Sequence, residues 1–448
     1  MSDQESSSSN GKSLKRQLGL FSATMILVGT VIGSGIFNTP GKVAAAAGGS
    51  GPNLLAWVIA GFAATMFALV YAELSPMFPK AGGAYVFIKE AFGDMAGFLY
   101  GWSMIFGSLM PVIAMLALGF INYLRYFFPG ITLTGSRIIG SIIVLFLAAI
   151  NVLGVKQGSK IQNIFTVGKL AALGLVIIGG IFTIKGANFQ PIVGELGWSA
   201  TFEAAVPAVL AFGGYYVLSY MSEEVTDPKK NLPLATIIGM SIVILVNVLI
   251  NVVSIGNLPQ ATLAGSEKPV ADVALAIFGP IGGAIVSLGA LISIFGSLNS
   301  SIMGLPRVSF AMAREKLLFD FFGKVHPKYN TPYISIIIFA LAALFFIWTG
   351  TFMSLLLMGV FVSRSLECVV ALSLIILRKK QPNAERPLKM WGYPITTLLA
   401  ILITGYLVTL VDPKYILQGA LLMASSIPAY FIFKYLVKGN QKRAEELL

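Results

Sequence analysis

The chain has 448 residues, of which 56% are hydrophobic and 11% are charged, and its formal net charge is +12. A set of soluble domains is excluded, because so few charged residues cannot cover their surfaces. The sequence therefore predicts an all-α polytopic membrane protein, in which basic loops rather than a nucleic-acid partner account for the positive charge.

The inventory of reactive residues also limits the chemistry. The only cysteine, Cys368, lies in an apolar segment, and the only histidine, His326, lies in a polar loop. A disulfide within the chain, a Cys/His zinc site and a haem-attachment motif are therefore excluded, and a hydrolase with a serine-histidine-aspartate triad is disfavoured. We predict no cofactor, no metal site and no enzymatic activity.

Residues 1–14 are rich in serine and are predicted to form a disordered tail. The apolar run from Leu18 to Ala47 that follows is too long for the apolar part of a signal peptide, and many similar runs come after it. An uncleaved first transmembrane helix is therefore predicted.

Twelve segments approach the roughly 20 apolar residues that a membrane-spanning helix needs. They are predicted at 17–46, 53–77, 93–127, 137–155, 158–183, 199–222, 231–257, 272–312, 332–349, 352–378, 391–411 and 414–437. Most of the 31 Lys and Arg residues fall on one side when the N-terminus is placed in the cytoplasm. This bias predicts that both termini are cytoplasmic, including a C-terminal tail at 438–448.

The first predicted helix contains a break at Gly33-Ser34-Gly35. Two glycines weaken a helix, and unwound backbone at membrane depth is tolerated where it lines a cavity or meets a ligand. The half-helix that restarts here would direct free N–H groups toward a carboxylate, and the last carbonyl groups before the break suit an ammonium. Close helix packing by small residues is the alternative.

A second break follows five segments later, in Leu210-Ala211-Phe212-Gly213-Gly214-Tyr215-Tyr216. Because five is odd, a second unit that repeats the first must enter the membrane from the opposite side. Paired interruptions of this kind indicate an inverted repeat with a substrate site near the bilayer midplane. We predict a first five-helix repeat at 15–183, a second at 199–378, and two further helices at 388–437.

The two breaks define the predicted substrate site. The hydroxyl groups of Thr30 and Ser34 and the amide groups near Gly33 and Gly35 are candidates for the substrate carboxylate. The candidates for its amino group are the carbonyl groups of Ile32, Leu210 and Gly213. The aromatic residues expected to shape or gate the side-chain pocket, with packing or interfacial anchoring as the alternative, are Phe212, Tyr215 and Tyr216.

Lys169 interrupts an otherwise apolar fifth helix. A cation at this depth is costly unless it reaches a partner, a cavity or the interface. We expect it to hold the broken first helix, to replace a bound cation or to exchange a proton. The competing interpretation is that it extends to the cytoplasmic interface.

Other polar residues inside the segments have simpler interpretations. Arg364 and Glu367 are spaced i, i+3 and are expected to form an intrahelical ion pair. A polar patch in the eighth helix is consistent with a lined pathway or with hydrogen bonds between helices; its members are Asn299, Ser300 and Ser301. With Lys169, Asn299 is a candidate for coupling or for support of the broken first helix. The acidic residues expected to pair with basic loops are Glu73, Glu223 and Glu224.

Four motifs carry a resemblance to a known family. They are VGTVIGSGIF at 28–37, YAELSPMFPKAGGAYVFIKEAFG at 71–93, SEEVTDPKKNLPLA at 222–235 and PRVSFAMARE at 306–315. Together they resemble the amino acid-polyamine-organocation superfamily, and within it most closely the L-amino acid transporter family. The resemblance covers nearly the whole chain after the tail.

The resemblance implies a five-plus-five inverted fold with broken helices 1 and 6, two extra helices, and transport of amino acids by alternating access. In that family the GSG break binds the substrate carboxylate, the helix 6 backbone binds its amino group, and a lysine at the position of Lys169 implies sodium independence. Leu210 stands where an aromatic gate is usual. The outer loop from Arg125 to Arg137 lacks the cysteine that joins eukaryotic members to a heavy chain, so a prokaryotic transporter without that partner is implied.

We therefore expect a sodium-independent exchanger of neutral L-amino acids in the cell membrane of a prokaryote. Two alternatives stay open at this point. One is proton-coupled uptake with Lys169 as the titrating group, and the other is a sensor that binds an amino acid without moving it. Continuous pores and enzymes are less consistent with paired broken helices and the absence of a nucleophile-base pair.

Overall fold

The computed structural model describes residues 14–266, 268–409 and 411–445. The predicted N-terminal tail, apart from Leu14, and the last three residues of the C-terminal tail lie outside that part of the chain, as does the side chain of Leu210. Within the described residues the secondary structure is helical, and strand-type pairing is limited to one isolated bridge between Leu18 and Val225.

The first half of the described chain contains the helices α1 (Leu20–Val31), α2 (Gly35–Ala47), α3 (Ser50–Met77), α4 (Ala84–Phe92), α5 (Asp94–Met104), α6 (Met110–Phe127), α7 (Leu133–Val152), α8 (Val155–Ile181), α9 (Ala200–Leu210) and α10 (Val217–Tyr220). The second half contains α11 (Pro228–Asn257), α12 (Gln260–Ala264), α13 (Pro269–Phe278), α14 (Pro280–Gly304), α15 (Arg307–Arg314), α16 (Tyr333–Thr349), α17 (Phe352–Lys380), α18 (Ile395–Thr409) and α19 (Pro413–Glu445).

The helices confirm an all-α polytopic membrane protein. Eight helical segments of the described chain are long and apolar enough to cross a membrane, and α1 with α2 forms a further span that is bent by 43°. Shorter apolar helices occupy the predicted sixth, ninth and eleventh segments. The predicted eighth segment, 272–312, is wrong in its bounds, because the chain turns at Gly279 (φ +67°) and Pro280 begins a new helix.

Helix packing supports the predicted repeat. The first span packs on the seventh, α1 on α11, and the sixth packs on the second, α9 on α3. Likewise the fifth packs on the eighth, α8 on α14, and the tenth on the third, α17 on α6. If each of spans 1–5 is exchanged with the span five places later, the contact of spans 1 and 7 becomes that of spans 6 and 2. The contact of spans 5 and 8 becomes that of spans 10 and 3 in the same way, as expected for two equivalent units. The exact boundaries of the units stay a prediction.

Ion pairs hold together one face of the bundle, which we call the N-terminal face because α1 begins there. The Nε of Arg307 donates to Oε1 of Glu224 at 2.8 Å, and both side chains are 1% exposed. Burial raises the pKa of the Glu224 carboxyl, and the Arg307 guanidinium opposes that shift. Arg314 pairs with Glu223 at 2.9 Å, so both glutamates pair with basic residues as predicted.

A second ion-pair cluster on this face is centred on Glu73, near the end of α3. Its fully buried carboxylate accepts two hydrogen bonds from Arg378 at 2.9 and 2.6 Å and one from the backbone N–H of Met390 at 2.7 Å. Arg386 lies 3.2 Å from the same carboxylate. The expected pairing of Glu73 with basic residues is confirmed, and it ties the segment after α17 to α3.

Candidate functional site

The predicted break in the first helix lies between α1 and α2. The N–H groups of Ser34 and Gly35 donate to no acceptor among the described residues. These groups belong to the first turn of a 13-residue helix, where the backbone dipoles favour negative charge. The start of α2 therefore offers backbone donors to an anionic group, and the role of Ser34 and Gly35 as substrate ligands stays a prediction.

The second break lies between α9 and α10. The carbonyl groups of Ala211 and Gly213 accept no hydrogen bond from the described chain. Gly214 has a φ of +110°, a backbone conformation that residues with a side chain rarely adopt. This break therefore provides free acceptors close to the free donors of the first break.

The two breaks touch each other, and glycine makes that contact possible. A Cβ atom built on Gly35 would lie 3.0 Å from Cα of Ala211, and one built on Gly214 would lie 2.9 Å from Cγ2 of Thr30. A Cβ on Gly33 would meet the hydroxyl of Ser297 first, at 3.3 Å, and would lie 3.8 Å from the nearest backbone atom. Gly35 and Gly214 are thus the positions at which the two breaks press against each other.

A cavity of about 220 Å³ lies at this junction. Six of the predicted site residues line it, namely Thr30, Gly33, Ser34, Gly35, Gly213 and Tyr216. Along α2 the lining continues to Lys42, about 10 Å beyond Gly35 at 1.5 Å per residue, whereas along α1 it reaches only Thr30. The cavity therefore extends toward the face opposite the N-terminal face.

Several polar residues that line the cavity were not singled out as site residues from the sequence. They are Asn38 and Lys42 on α2, Ser108 on the π-helical turn 105–109, and Ser363 and Arg364 on α17. Asn38 also accepts a hydrogen bond from the hydroxyl of Tyr123. Of these residues the sequence drew attention to Arg364 alone, as a charged residue inside an apolar segment. Serine gives no such signal, because it is common in membrane helices whether or not it faces a cavity.

Lys169 is fully buried and its ammonium binds the end of α1. Its Nζ donates to the carbonyl groups of Gly29 at 2.8 Å, Ile32 at 2.6 Å and Ser293 at 2.9 Å. The hydroxyl of Ser297 lies 3.4 Å away and donates to Gly29. The interpretation that Lys169 extends to the interface is therefore wrong, and its ammonium occupies an oxygen-lined position between the first, fifth and eighth helices.

This arrangement corrects the role predicted for Ile32. Its carbonyl accepts from Lys169 and, at 2.8 Å, from the hydroxyl of Ser293, so donors of the protein already use both lone pairs. Thr30 also has internal partners, because its hydroxyl lies 2.6 Å from the Ile26 carbonyl and 2.8 Å from the hydroxyl of Ser300. Ser293 and Ser297 were missed, although their i, i+4 spacing puts both on one face of α14.

The aromatic residues near the second break lie in different places from those expected. Phe212 is fully buried against Trp57, with 6.1 Å between ring centroids, and does not line the cavity. Tyr215 lies behind Tyr216 and donates a hydrogen bond to Glu367 at 2.9 Å. Of the three predicted aromatic residues only Tyr216 faces the cavity. The predicted gating position, Leu210, has a side chain outside the described part of the structure.

Asn299 lies away from the cavity, in the buried contact between α14 and the fourth and fifth helices. Its Nδ2 donates to the Gly158 carbonyl at 3.0 Å, and its Oδ1 accepts from Asn151 at 2.9 Å. It therefore contacts α7 and α8 rather than α1, and the direct support of helix 1 predicted for it is corrected. Its neighbour Ser300 does contact helix 1, through Thr30.

Aromatic side chains close the cavity on the side of the N-terminal face. Tyr215 packs against Tyr71 and Tyr216 with 5.9 Å between the ring centroids in each pair, and Tyr216 packs against Tyr220 at 5.7 Å. Beyond this layer lies the buried ion pair of Arg307 with Glu224. Two successive layers thus separate the cavity from the N-terminal face.

Comparison with known proteins gives one family. Residues 18–432 match the family described as amino acid permease. The serine/threonine exchanger SteT of Bacillus subtilis (strain 168) is 34% identical over 393 residues, which are 87% of this chain and 89% of that protein. The human large neutral amino acids transporter small subunit 2 is 34% identical over 453 residues, 97% of this chain and 83% of that protein.

A further relative has another printed specificity. The branched-chain amino acid permease BcaP of Bacillus subtilis (strain 168) is 29% identical over 447 residues, covering 95% of this chain and 94% of that protein. The names of these three relatives refer to different side chains, small hydroxylated, large neutral and branched. Overall similarity therefore does not select among these substrates.

Proposed function

The chain belongs to the amino acid permease family, and we propose that it exchanges neutral L-amino acids across a membrane by a sodium-independent mechanism. The observation that carries this proposal is the junction of the two helix breaks. Free N–H groups at Ser34 and Gly35 meet free carbonyl groups at Ala211 and Gly213 beside one cavity. An amino acid carries both a carboxylate and an ammonium, and these two sets of backbone groups complement them.

Lys169 supports the sodium independence. Its ammonium is surrounded by three carbonyl oxygens and a hydroxyl at 2.6–3.4 Å, which is the kind of ligand set that a hard cation takes. Because Nζ of Lys169 itself binds the carbonyl groups of Gly29 and Ile32, transport needs no bound metal cation to hold the end of α1.

The charge of the cavity supports neutral rather than cationic substrates. Its charged lining residues are Lys42 and Arg364, and no Asp or Glu is among the described residues that line it. Because Glu367 balances Arg364, an ammonium or guanidinium on the substrate side chain would meet the charge of Lys42 and no lining carboxylate in a partly desolvated space. Lysine and arginine should therefore be poor substrates.

The orientation follows from the basic residues. We place the N-terminal face in the cytoplasm, as the positive-inside rule requires, in the cell membrane of a prokaryote. The cavity then faces the outside, and the aromatic layer and the Arg307 pair close the inside. We also propose that the chain works without a disulfide-linked heavy chain, because its only cysteine, Cys368, lies within α17.

The proposed function is tested by counterflow of labelled alanine into proteoliposomes that contain unlabelled alanine. Neutral amino acids should compete for the label, whereas lysine and arginine should compete at least about tenfold more weakly. Saturable binding of an amino acid without any counterflow would support the sensor interpretation instead, and competition by lysine equal to that of neutral amino acids would contradict the proposed substrate class.

A further inference from the structure

Arg364 and Glu367 form a buried ion pair at the wall of the cavity. Nη1 of Arg364 donates to Oε2 of Glu367 at 2.7 Å, and the hydroxyl of Tyr215 donates to Oε1 of the same carboxylate at 2.9 Å. Arg364 is 7% exposed and Glu367 3% exposed. The expected i, i+3 pair is confirmed. It does more than join two residues of α17, because it also bonds to Tyr215 of the second break and lies at the wall of the cavity.

The pair is oriented relative to the cavity. Arg364 lines the cavity and Glu367 does not, so the pair presents its donor half to the interior and keeps its carboxylate behind. The Nε of Arg364 is buried and has no hydrogen-bond partner. A guanidinium carries five N–H groups in a fixed plane, and Glu367 and Tyr215 engage only Nη1. The buried Nε is closed off from the cavity, so the donor that remains beside it is Nη2, which bonds to none of the described residues and is not buried.

The charge of the pair restricts what those donors can bind. Glu367 balances the guanidinium, so the wall is a polar donor with little net charge, and a carboxylate on the substrate side chain would have to compete with Glu367. An uncharged acceptor, such as a hydroxyl or a carboxamide oxygen, needs no such competition and pays a smaller desolvation cost.

The size and the other walls of the cavity agree with a small side chain. A volume of about 220 Å³ lies below the roughly 300–1,000 Å³ of pockets for drug-sized ligands. Tyr216 and Ser363 also line the cavity beside Arg364, and an apolar wall is formed by α6 through Val112, Met115 and Leu116. A short side chain with one polar atom and one methyl group fits a site with these two kinds of wall.

We propose that Arg364, held by Glu367 and Tyr215, is the specificity-determining residue of the substrate site and selects small neutral amino acids whose side chain carries an oxygen acceptor. This inference rests on the proposed function and adds the substrate class to it. Arg364 touches the substrate side chain, whereas Glu367 is a positioning residue that also keeps the wall neutral.

Threonine and valine test the proposal most closely, because they differ by a hydroxyl in place of a methyl group. In wild-type proteoliposomes, threonine should inhibit alanine counterflow at a concentration about tenfold or more below that of valine, since a site built around a donor rejects the analogue that lacks the acceptor. Equal inhibition by the two amino acids, or stronger inhibition by glutamate than by threonine, would overturn the proposal.

Two variants assign the effect to the pair. The double variant Arg364→Met with Glu367→Gln removes the donor without leaving a buried carboxylate unpaired, and its preference for threonine over valine should fall to near unity. The single variant Glu367→Gln exposes the charge of Arg364, so aspartate and glutamate should become inhibitors. A wild-type preference in the double variant would contradict the role of Arg364.

Ser373→Ala is the matched control on the same helix, because Ser373 is buried away from the cavity and its hydroxyl donates, among the described residues, to the Val370 carbonyl alone. It should keep the wild-type preference. The readout separates the two proposals: if no amino acid supports counterflow, the proposed function fails, whereas counterflow without discrimination between threonine and valine defeats only the assignment of Arg364.

Discussion

At the scale of single residues, Lys169 is the side chain on which the site depends most. The sequence identified it as a cation in an apolar helix, and burial among oxygens agrees with that signal. Its partners could not be predicted, because carbonyl groups carry no sequence signature and the contact joins residues more than a hundred positions apart. The structure adds Ser293 and Ser297, which complete the oxygen shell.

Lys169→Ala should therefore abolish exchange. The substitution removes three charge-assisted hydrogen bonds that hold the end of α1, each worth about 1.5–3 kcal/mol. We expect alanine counterflow to fall at least about tenfold, measured at equal amounts of reconstituted protein. Lys160→Ala is the control, because Lys160 is exposed earlier on the same helix. Counterflow of the wild-type rate in Lys169→Ala would contradict the role assigned to the ammonium.

At the scale of helices, the two breaks could be predicted but their contact could not. Gly33-Ser34-Gly35 and Gly213-Gly214 are visible as local weakness in apolar segments, and the structure interrupts both helices there. The predictions for Ile32 and Phe212 were wrong in their surroundings, whereas Tyr215 lies outside the cavity lining but within the aromatic layer that closes the cavity. Within a helix, sequence spacing determines which face a residue occupies. Where the helix is broken, the irregular backbone decides whether a side chain points to the cavity or to a neighbouring helix, and the spacing no longer predicts it.

The contact between the breaks gives a graded prediction for the glycines. Gly35→Ala should reduce counterflow strongly, because its Cβ would press on the backbone of Ala211 at 3.0 Å. Gly33→Ala should have a weaker effect, since its Cβ meets a serine hydroxyl that can move. Gly174→Ala should transport normally, because among the described residues its Cβ would meet nothing within 4 Å outside its own stretch of helix. The reverse order for Gly33 and Gly35 would show that the breaks do not meet as described.

The buried ion pair on the N-terminal face belongs to the same scale. Removing one partner of a buried pair costs about 3–5 kcal/mol, whereas an exposed pair is worth at most about 1 kcal/mol. Glu224→Gln should therefore lower the thermal unfolding temperature of the purified protein in detergent. Glu385→Gln, which breaks the exposed pair with Lys229, should leave it nearly unchanged. Equal unfolding temperatures for the two variants would contradict the importance of the Arg307 pair.

At the scale of the whole molecule, composition and loop charge were sufficient to predict an all-α membrane protein and its orientation, and the inverted repeat was predicted from the odd spacing of the two helix breaks. They could not predict which side of the cavity is closed, because that depends on how the two units tilt against each other. The structure closes the N-terminal face with aromatic rings and ion pairs and leaves the lining continuous along α2.

Thiol labelling tests this arrangement. In a Cys368→Ser background, Asn38→Cys should react in intact cells with a reagent that cannot cross the membrane, and excess substrate should slow the reaction because Asn38 lines the cavity. Ser222→Cys, buried near the N-terminal face, should not react from outside. Labelling of Ser222→Cys alone would contradict the proposed orientation.

The central claim is that an amino acid bound at the two breaks is exchanged, with Lys169 in place of a coupling cation. The most direct test compares uptake of labelled alanine into proteoliposomes in sodium and in potassium, with and without alanine inside. We predict equal uptake in the two salts and uptake only into loaded vesicles. Uptake that requires sodium would contradict the claim, as would uptake into empty vesicles driven by an inward proton gradient.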